Sequence, residues 1–217
     1  LQVPADTAGA GGSKISVLDL MMKGGIIIIP ILVLFVVAVY IFIERYLTIK
    51  KASKIQANFM QNIRDYVSSG NVNAASALCK NTDTPIARMV EKGILRIGKP
   101  LQSIQVAIEN VGKLEIYKME KNLATLATIS GAAPMIGFLG TVTGMISAFY
   151  EISSKEAFKT QDLAGGIYEA MMTTAVGLAV GIVAYIGYNV LISLVEKAVY
   201  KMEATTVEFI DLLQEPA

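Results

Sequence analysis

Among the polar side chains in the mostly apolar stretches of the sequence, three could do chemistry: Thr141, Glu169 and Thr174. Acidic residues inside membrane segments are rare, and they usually face protein or water along an ion pathway. A threonine hydroxyl donates one hydrogen bond and accepts two, so it can bind water. We therefore treat these three residues as candidates for lining an ion pathway.

Each candidate also has a simpler interpretation. Glu169 precedes Glu196 by about 40 Å along a helix that rises 1.5 Å per residue. It could therefore lie at the outer membrane interface, where it would snorkel or accept a structural hydrogen bond. Threonines in membrane helices usually donate to the carbonyl four residues earlier, which is the expected state of Thr128, Thr143 and Thr173.

Small residues recur at a spacing of three and four beside the two candidate threonines. The pairs with GxxxG spacing are Gly140 with Gly144 and Gly177 with Gly181. Such pairs let membrane helices approach closely, so packing alone explains them. Thr141 and Thr174 lie on these small-residue faces, and a ring of several copies would place those faces around a cavity.

The composition indicates an integral membrane protein. Charged residues make up 17% of the chain and the mean hydropathy is +0.53, whereas soluble domains carry about 25% charge. The net charge of +1 argues against nucleic-acid binding. The chain has no His and a single Cys, so imidazole catalysis, imidazole metal ligation and an internal disulfide are excluded. Cys79 is expected to be a buried, inert thiol.

We expect an all-α membrane protein with three transmembrane helices, the second and third of which extend into the cytoplasm. Apolar runs of spanning length define the spans. The predicted segments are a flexible periplasmic tail at 1–14, an interfacial periplasmic helix at 15–25, spans at 26–43, 122–150 and 163–195, a cytoplasmic helical segment at 44–121, a periplasmic loop at 151–162, and a cytoplasmic C-terminal helix and tail at 196–217.

Basic residues set the predicted orientation. Residues 44–121 contain thirteen Lys or Arg against seven Asp or Glu, whereas the connection between the second and third spans has only Lys155 and Lys159. Cytoplasmic loops carry the excess of Lys and Arg. The N-terminus is therefore predicted to lie outside the cytoplasm and the C-terminus inside it.

The cytoplasmic segment has the start and stop signals of short helices. Asn71 and Thr84 are predicted N-caps, Pro85 is a first helical residue, and Gly70 and Gly98 are stop signals. From Leu101 the pattern continues helically into the second span with no strong breaker.

Within its predicted spans the chain offers at most one side chain of the Asp, Glu, His, Lys or Arg type, Glu169. A proton relay needs such groups spaced across the membrane. If protons cross here, the main carrier is expected to come from another protein, and this chain is expected to house it.

The sequence resembles the ExbB/TolQ/MotA proton-channel family and is most similar to its ExbB members. The motifs are "APMIGFLGTVTGMISAF", "GIYEAMMTTAVGLAVGIVAYIGYNVL", "ERYLTIKKA" and "GNVNAASALCKNTDTPIARMV". The resemblance extends over nearly the whole chain, from about Val17 to Leu213. Three spans look like ExbB or TolQ, whereas MotA-type stators have a fourth.

The resemblance implies a motor subunit of the bacterial inner membrane. It implies a homopentamer in membrane lipid, with a dimer of an ExbD-like single-span protein in the pore, and a TonB-like energy transducer that receives the work. The transported ion would be H⁺, with Na⁺ not excluded, and no cofactor or metal is expected. By the same motifs, Thr141 and Thr174 would line the pore, and Glu169 would be a polar or proton-accessible group. Pro134 would kink the second helix, and Gly137, Gly140, Gly144, Gly177 and Gly181 would be close-packing positions.

Other functions stay open at this stage. A TolQ-like subunit acting on the Tol envelope-maintenance system and a non-conducting membrane scaffold are the main alternatives. A self-contained carrier is disfavoured because the chain has no inverted repeat or second buried charge. An enzyme is disfavoured because no nucleophile–base pair can be assembled.

Overall fold

A computed structural model of the chain describes residues 26–54, 58–154 and 160–214. Within these ranges every regular element is an α-helix. The seven helices are α1 (Ile28–Ala52), α2 (Phe59–Ser68), α3 (Val72–Asn81), α4 (Pro85–Ile94), α5 (Leu101–Glu120), α6 (Leu123–Ser154) and α7 (Thr160–Gln214). The tail and interfacial helix predicted for residues 1–25 lie outside the described residues, as does the part of the predicted 151–162 loop at 155–159.

Three stretches of helix are long and apolar enough to cross a membrane, and they lie in Ile28–Ala52, Leu101–Ser154 and Leu163–Gln214. This agrees with the predicted fold class of an all-α membrane protein with three spans. Pro30 lies in the first turn of α1, where its missing N–H leaves no helical hydrogen bond unmade.

Local sequence signals explain the short helices. Asn71 caps α3 by accepting from the amide of Ala74 at 3.1 Å, and Thr84 caps α4 by accepting from the amide of Ala87 at 3.3 Å. Pro85 is the first residue of α4. Both predicted caps are confirmed. Helix α4 ends at Ile94, four residues before the predicted stop at Gly98, whose φ of +89° closes the following turn.

The continuous helix predicted from Leu101 into the second span is wrong at one point. Helix α5 ends at Glu120, α6 begins at Leu123, and Asn122 between them has a φ of +65°. Asparagine is among the few residues that adopt this left-handed conformation readily. A single Asn inside an otherwise helical pattern carried no stop signal strong enough to predict the break.

The chain divides into two compact units. The first contains residues 1–33 and 133–180. Its described part holds the start of α1 and the facing parts of α6 and α7. These two helices run antiparallel, because Gly137 lies against Gly177 whereas Gly144 lies against Ala170.

The second unit contains residues 34–132 and 181–217. Its core is built from completely buried side chains contributed by several helices, among them Phe59, Ile63, Ile94, Ile108 and Phe209. Cys79 is also buried there, at 2% exposure. Burial raises the pKa of its thiol to about 12, with a smaller contribution from the nearby carboxylate of Glu91. The expected inert thiol agrees with this environment.

A chain of ion pairs links three helices of the second unit. Glu115 on α5 accepts from Arg88 and from Lys118, each at 2.6 Å, and its side chain is only 5% exposed. Arg88 also binds Asp83 at 2.7 Å, and Lys51 at the end of α1 reaches Asp83 at 3.2 Å. These two cations lower the pKa of the Asp83 carboxyl. The network therefore joins α1, α4 and α5 through Lys51, Arg88 and Glu115, with Asp83 in the turn before α4.

Candidate functional site

The candidate threonines meet at the crossing of α6 and α7 in the first unit. The hydroxyl of Thr141 is hydrogen-bonded to the hydroxyl of Thr174. Thr141 Oγ1 also lies 3.1 Å from the carbonyl oxygen of Ala170, and Thr174 Oγ1 lies 2.9 Å from that of Gly137. Both residues are half-buried. The structure therefore brings together two residues that the sequence placed on separate helix faces.

Glycines make this approach possible. A Cβ on Gly177 would lie 2.6 Å from the carbonyl oxygen of Ala133, and one on Gly137 would lie 2.8 Å from that of Thr173. A Cβ on Gly144 would lie 2.8 Å from the Cβ of Ala170. These separations are too short for any side chain, so the absence of Cβ atoms sets the distance between the helices.

The remaining packing candidates are Gly140, Pro134 and Gly181. A Cβ on Gly140 would overlap the Thr173 hydroxyl. Pro134 lies inside α6 and is half-buried, and the helix continues on both sides of it. Gly181 is buried. The kink predicted at Pro134 stays a prediction.

The two hydroxyls have more contacts than protons. Each threonine carries one hydroxyl proton, whereas the pair has three contacts: one between the hydroxyls and one from each hydroxyl to a carbonyl. At any moment the two hydroxyl protons can form hydrogen bonds in only two of these three contacts. Rotation of the hydroxyls exchanges these arrangements without moving the backbone, and it leaves an oxygen of the pair able to accept a hydrogen bond from a third group.

Thr173 takes a role that the sequence did not predict. Its hydroxyl bonds the carbonyl of Ala170 on its own helix at 2.7 Å and the carbonyl of Gly137 on α6 at 3.2 Å. The expectation that it serves its own helix alone is wrong, because Gly137 brings a second carbonyl within reach. Thr143 and Thr128 do bond the carbonyls four residues earlier, at 2.9 Å each.

Glu169 lies apart from the threonine pair. It is exposed, and it lines an open cleft of about 500 Å³ with Thr143, Ser147, Glu151 and Thr173 among the polar residues. The sequence analysis does not predict Ser147 or Glu151 as site residues; it places Glu151 in the loop at 151–162, whereas the structure includes it in α6. Their signal was present, because Gly144, Ser147 and Glu151 recur at three and four and so share one face of α6.

Comparison with known proteins identifies the family. Residues 81–204 match the model of the MotA/TolQ/ExbB proton channel family. The chain belongs to this family.

Relatives within the family include ExbB-like and TolQ proteins. The chain is 31% identical over 184 residues to biopolymer transport protein ExbB-like 1 of Synechocystis sp., covering 82% of this chain and 71% of the relative. It is 29% identical over 175 residues to ExbB-like 3 of the same organism, covering 80% and 83%. The Tol-Pal system protein TolQ of Haemophilus influenzae is 40% identical over 75 residues, covering 35% of this chain and 33% of the relative. The family is a transport family, and both ExbB and TolQ types are similar to this chain.

Proposed function

We propose that this chain is the ring-forming subunit of a proton-driven motor in the bacterial inner membrane, with its N-terminus periplasmic and its C-terminus cytoplasmic. The observation that carries the proposal is the hydrogen-bonded pair of Thr141 and Thr174 at a glycine-packed helix crossing. Glycines alone are sufficient for two helices to pack closely where they cross. Close packing does not require two hydroxyls whose two protons must serve three hydrogen-bond contacts.

The ring is proposed to be a homopentamer whose second and third spans surround the pore. Large apolar side chains on both spans are exposed in the single chain, among them Phe138, Ile146, Met171 and Ile182. In a membrane they face lipid, neighbouring copies or a guest helix. We propose a dimer of an ExbD-like single-span protein as the guest, because Glu169 is the one Asp, Glu, Lys, Arg or His in the predicted spans of this chain.

The threonine pair is proposed to act on the carboxyl group of that partner. A protonated carboxylic acid can donate to a free lone pair of the pair, and a carboxylate can accept from a hydroxyl that turns towards it. The two forms of the acid would therefore select different arrangements of the two hydroxyl protons. The pair would stabilise both forms of the acid in a site with little water.

Glu169 is proposed to give protons access from the periplasmic side. It lies four residues before Thr173 on the same helix, and both line the cleft. The exposed carboxylate and the neighbouring polar side chains would hold water between the aqueous phase and the threonine pair. Hydroxyl and carbonyl oxygens also bind Na⁺, so the choice of H⁺ over Na⁺ depends on the family and on the partner's acid.

The work is proposed to pass to a TonB-like transducer that energises nutrient uptake across the outer membrane. The two ExbB-like relatives match four-fifths of this chain, whereas the TolQ relative matches about a third of it. The greater coverage favours the ExbB-type role over the TolQ-type alternative of envelope maintenance. A non-conducting scaffold is disfavoured by the hydroxyl pair and the polar cleft.

Proton flux into proteoliposomes tests the proposal. The chain is reconstituted with and without its ExbD-like partner, and a pH-sensitive dye inside the vesicles reports flux under an imposed membrane potential. We expect flux only with the partner, and a fall of about tenfold in Thr141→Val, which corresponds to roughly 1.4 kcal/mol or one hydrogen bond.

The matched control is Thr128→Val, which removes a hydroxyl that serves only its own helix. It should leave the flux unchanged. Flux without the partner would overturn the motor proposal in favour of a self-contained channel. No flux under any condition, from complexes that assemble normally, would favour the scaffold.

A further inference from the structure

A basic groove in the second unit lies near the C-terminal ends of the apolar runs of the first and third spans. It is open, has a volume of about 650 Å³, and is lined by the end of α1 and the middle of α7. Four lysines line it: Lys50, Lys54, Lys197 and Lys201. Glu196 is the one acidic residue of the lining, so the groove carries a net charge of +3.

Two of these lysines are available to a ligand. Among the described residues, Lys54 and Lys197 form no salt bridge, and both are exposed. Lys201 Nζ lies 3.4 Å from the carbonyl oxygen and the hydroxyl of Ser53, and so holds α7 against the end of α1. The positive charge therefore faces an open space and is only weakly compensated by the protein.

The predicted ends of the first and third spans indicate that the groove lies near the depth of lipid headgroups. The uncharged run of the first span ends at Ile43, and Lys50 follows it by seven residues, or about 10 Å of helix. Lys197 follows the third span directly. Tyr200, which also lines the groove, is 73% exposed, and exposed tyrosines of this kind are enriched at membrane interfaces.

An apolar furrow continues from the groove along α7. A second depression of about 450 Å³ shares Ser193, Leu194 and Lys197 with the groove. A third, of about 230 Å³ and almost wholly apolar, shares Ile186 and Val190 with the second. Lys197 and Ile186 are separated by about 16 Å along the helix. The furrow thus runs from a cationic end at Lys197 to an apolar end at Ile186. Its length is sufficient for part of an acyl chain.

We propose that this groove binds an anionic phospholipid, with the phosphate between Lys54 and Lys197 and one acyl chain in the furrow towards Val190. Charge complementarity selects an anionic headgroup, and the continuous apolar furrow selects a lipid over free phosphate. Each lysine near a membrane surface contributes about 1 kcal/mol to the attraction of anionic lipid. The bound lipid would cover apolar surface between α1 and α7 and neutralise the lysines. The site does not depend on proton transport.

Fluorescence quenching by brominated lipid tests the proposal, because the chain contains no tryptophan. Tyr185→Trp places a reporter in the furrow, since Tyr185 lines its middle part and is 60% exposed. The chain is reconstituted with its partner in vesicles that contain brominated phosphatidylglycerol or brominated phosphatidylcholine. The same complex without Tyr185→Trp supplies the background. We expect stronger quenching by phosphatidylglycerol than by phosphatidylcholine at equal lipid fraction.

The double variant Lys54→Gln with Lys197→Gln should reduce the preference for phosphatidylglycerol by about 30-fold. Its control is Lys92→Gln with Lys99→Gln, which removes the same charge from exposed positions outside the groove and should keep the preference. Inorganic phosphate at millimolar concentration should not reverse the quenching. Equal quenching by both lipids, equal effects of the two double variants, or full reversal by phosphate would each overturn the proposal.

Discussion

The hydroxyl of Thr141 on α6 is hydrogen-bonded to the hydroxyl of Thr174 on α7, and each also reaches a carbonyl on the opposite helix. The contact is made within a single chain. In the proposed ring, each subunit would therefore carry a preformed hydroxyl pair and would not need the subunit interface to create it.

Adding one methyl group to the crossing should separate the helices. Gly177→Ala would place a Cβ 2.6 Å from the backbone carbonyl of Ala133, and backbone cannot move aside as a flexible side chain can. We expect a loss of about 1–3 kcal/mol in stability, measured as a lower thermal midpoint of the detergent-solubilised complex, together with loss of flux.

Gly165→Ala on the same helix is the matched control, because a Cβ there would have no atom within 4 Å. It should leave both the midpoint and the flux unchanged. Equal effects of the two substitutions would mean that helix propensity, and not close packing, governs this region.

Removing the charge of Glu115 should destabilise the second unit. Its buried carboxylate accepts from Arg88 and Lys118, so Glu115→Gln leaves two cations without their shared partner. We expect a loss of about 2–4 kcal/mol in the free energy of unfolding, seen as a lower thermal midpoint. Glu109→Gln, at an exposed position of the same helix, should lower the free energy of unfolding only slightly. A loss similar to that of Glu115→Gln would contradict a specific role for the network.

The thiol of Cys79 should resist alkylation in the folded protein. Because the thiolate is the reactive form and burial raises the pKa of Cys79 to about 12, we expect negligible maleimide labelling at pH 8 and complete labelling after denaturation. An exposed Ser68→Cys thiol should label rapidly under the same conditions. Rapid labelling of Cys79 itself would show that α3 opens.

The same pKa shift has a consequence at high pH. Folding favours the protonated thiol, so its contribution to stability is fully present below the unfolded pKa and is lost as the pH rises towards 12. Cys79→Ser should therefore reduce the dependence of the thermal midpoint on pH between about 9 and 12. An unchanged dependence would contradict the burial of the thiol.

Much of the fold could be predicted from sequence because its signals are local. The apolar runs, the caps at Asn71 and Thr84, and the faces that carry Thr141 and Thr174 all depend on residues within one or two turns of each other. The break at Asn122 could not be predicted, since asparagine adopts the left-handed conformation more often than most residues but still only in a minority of its positions.

Contacts between residues on different helices could not be predicted from the sequence for a related reason. Periodicity gives the face on which a residue lies but not the residue opposite, so neither the Thr141–Thr174 pair nor the ion pair between Arg88 and Glu115 was expected. Thr173 shows the limit most clearly. Its hydroxyl was assigned to its own helix, and only the close approach at Gly137 supplied a second acceptor.

The most direct test of the proposed mechanism is a double-mutant cycle on proton flux with Thr141→Val, Thr174→Val and the combined variant, each reconstituted with the ExbD-like partner. If the two hydroxyls act as one unit, either single substitution should reduce the flux almost as much as both together, because effects on coupled groups are not additive. We predict this result. Independent, multiplicative losses, or full flux in the combined variant with assembly intact, would contradict a shared role for the pair in handling protons.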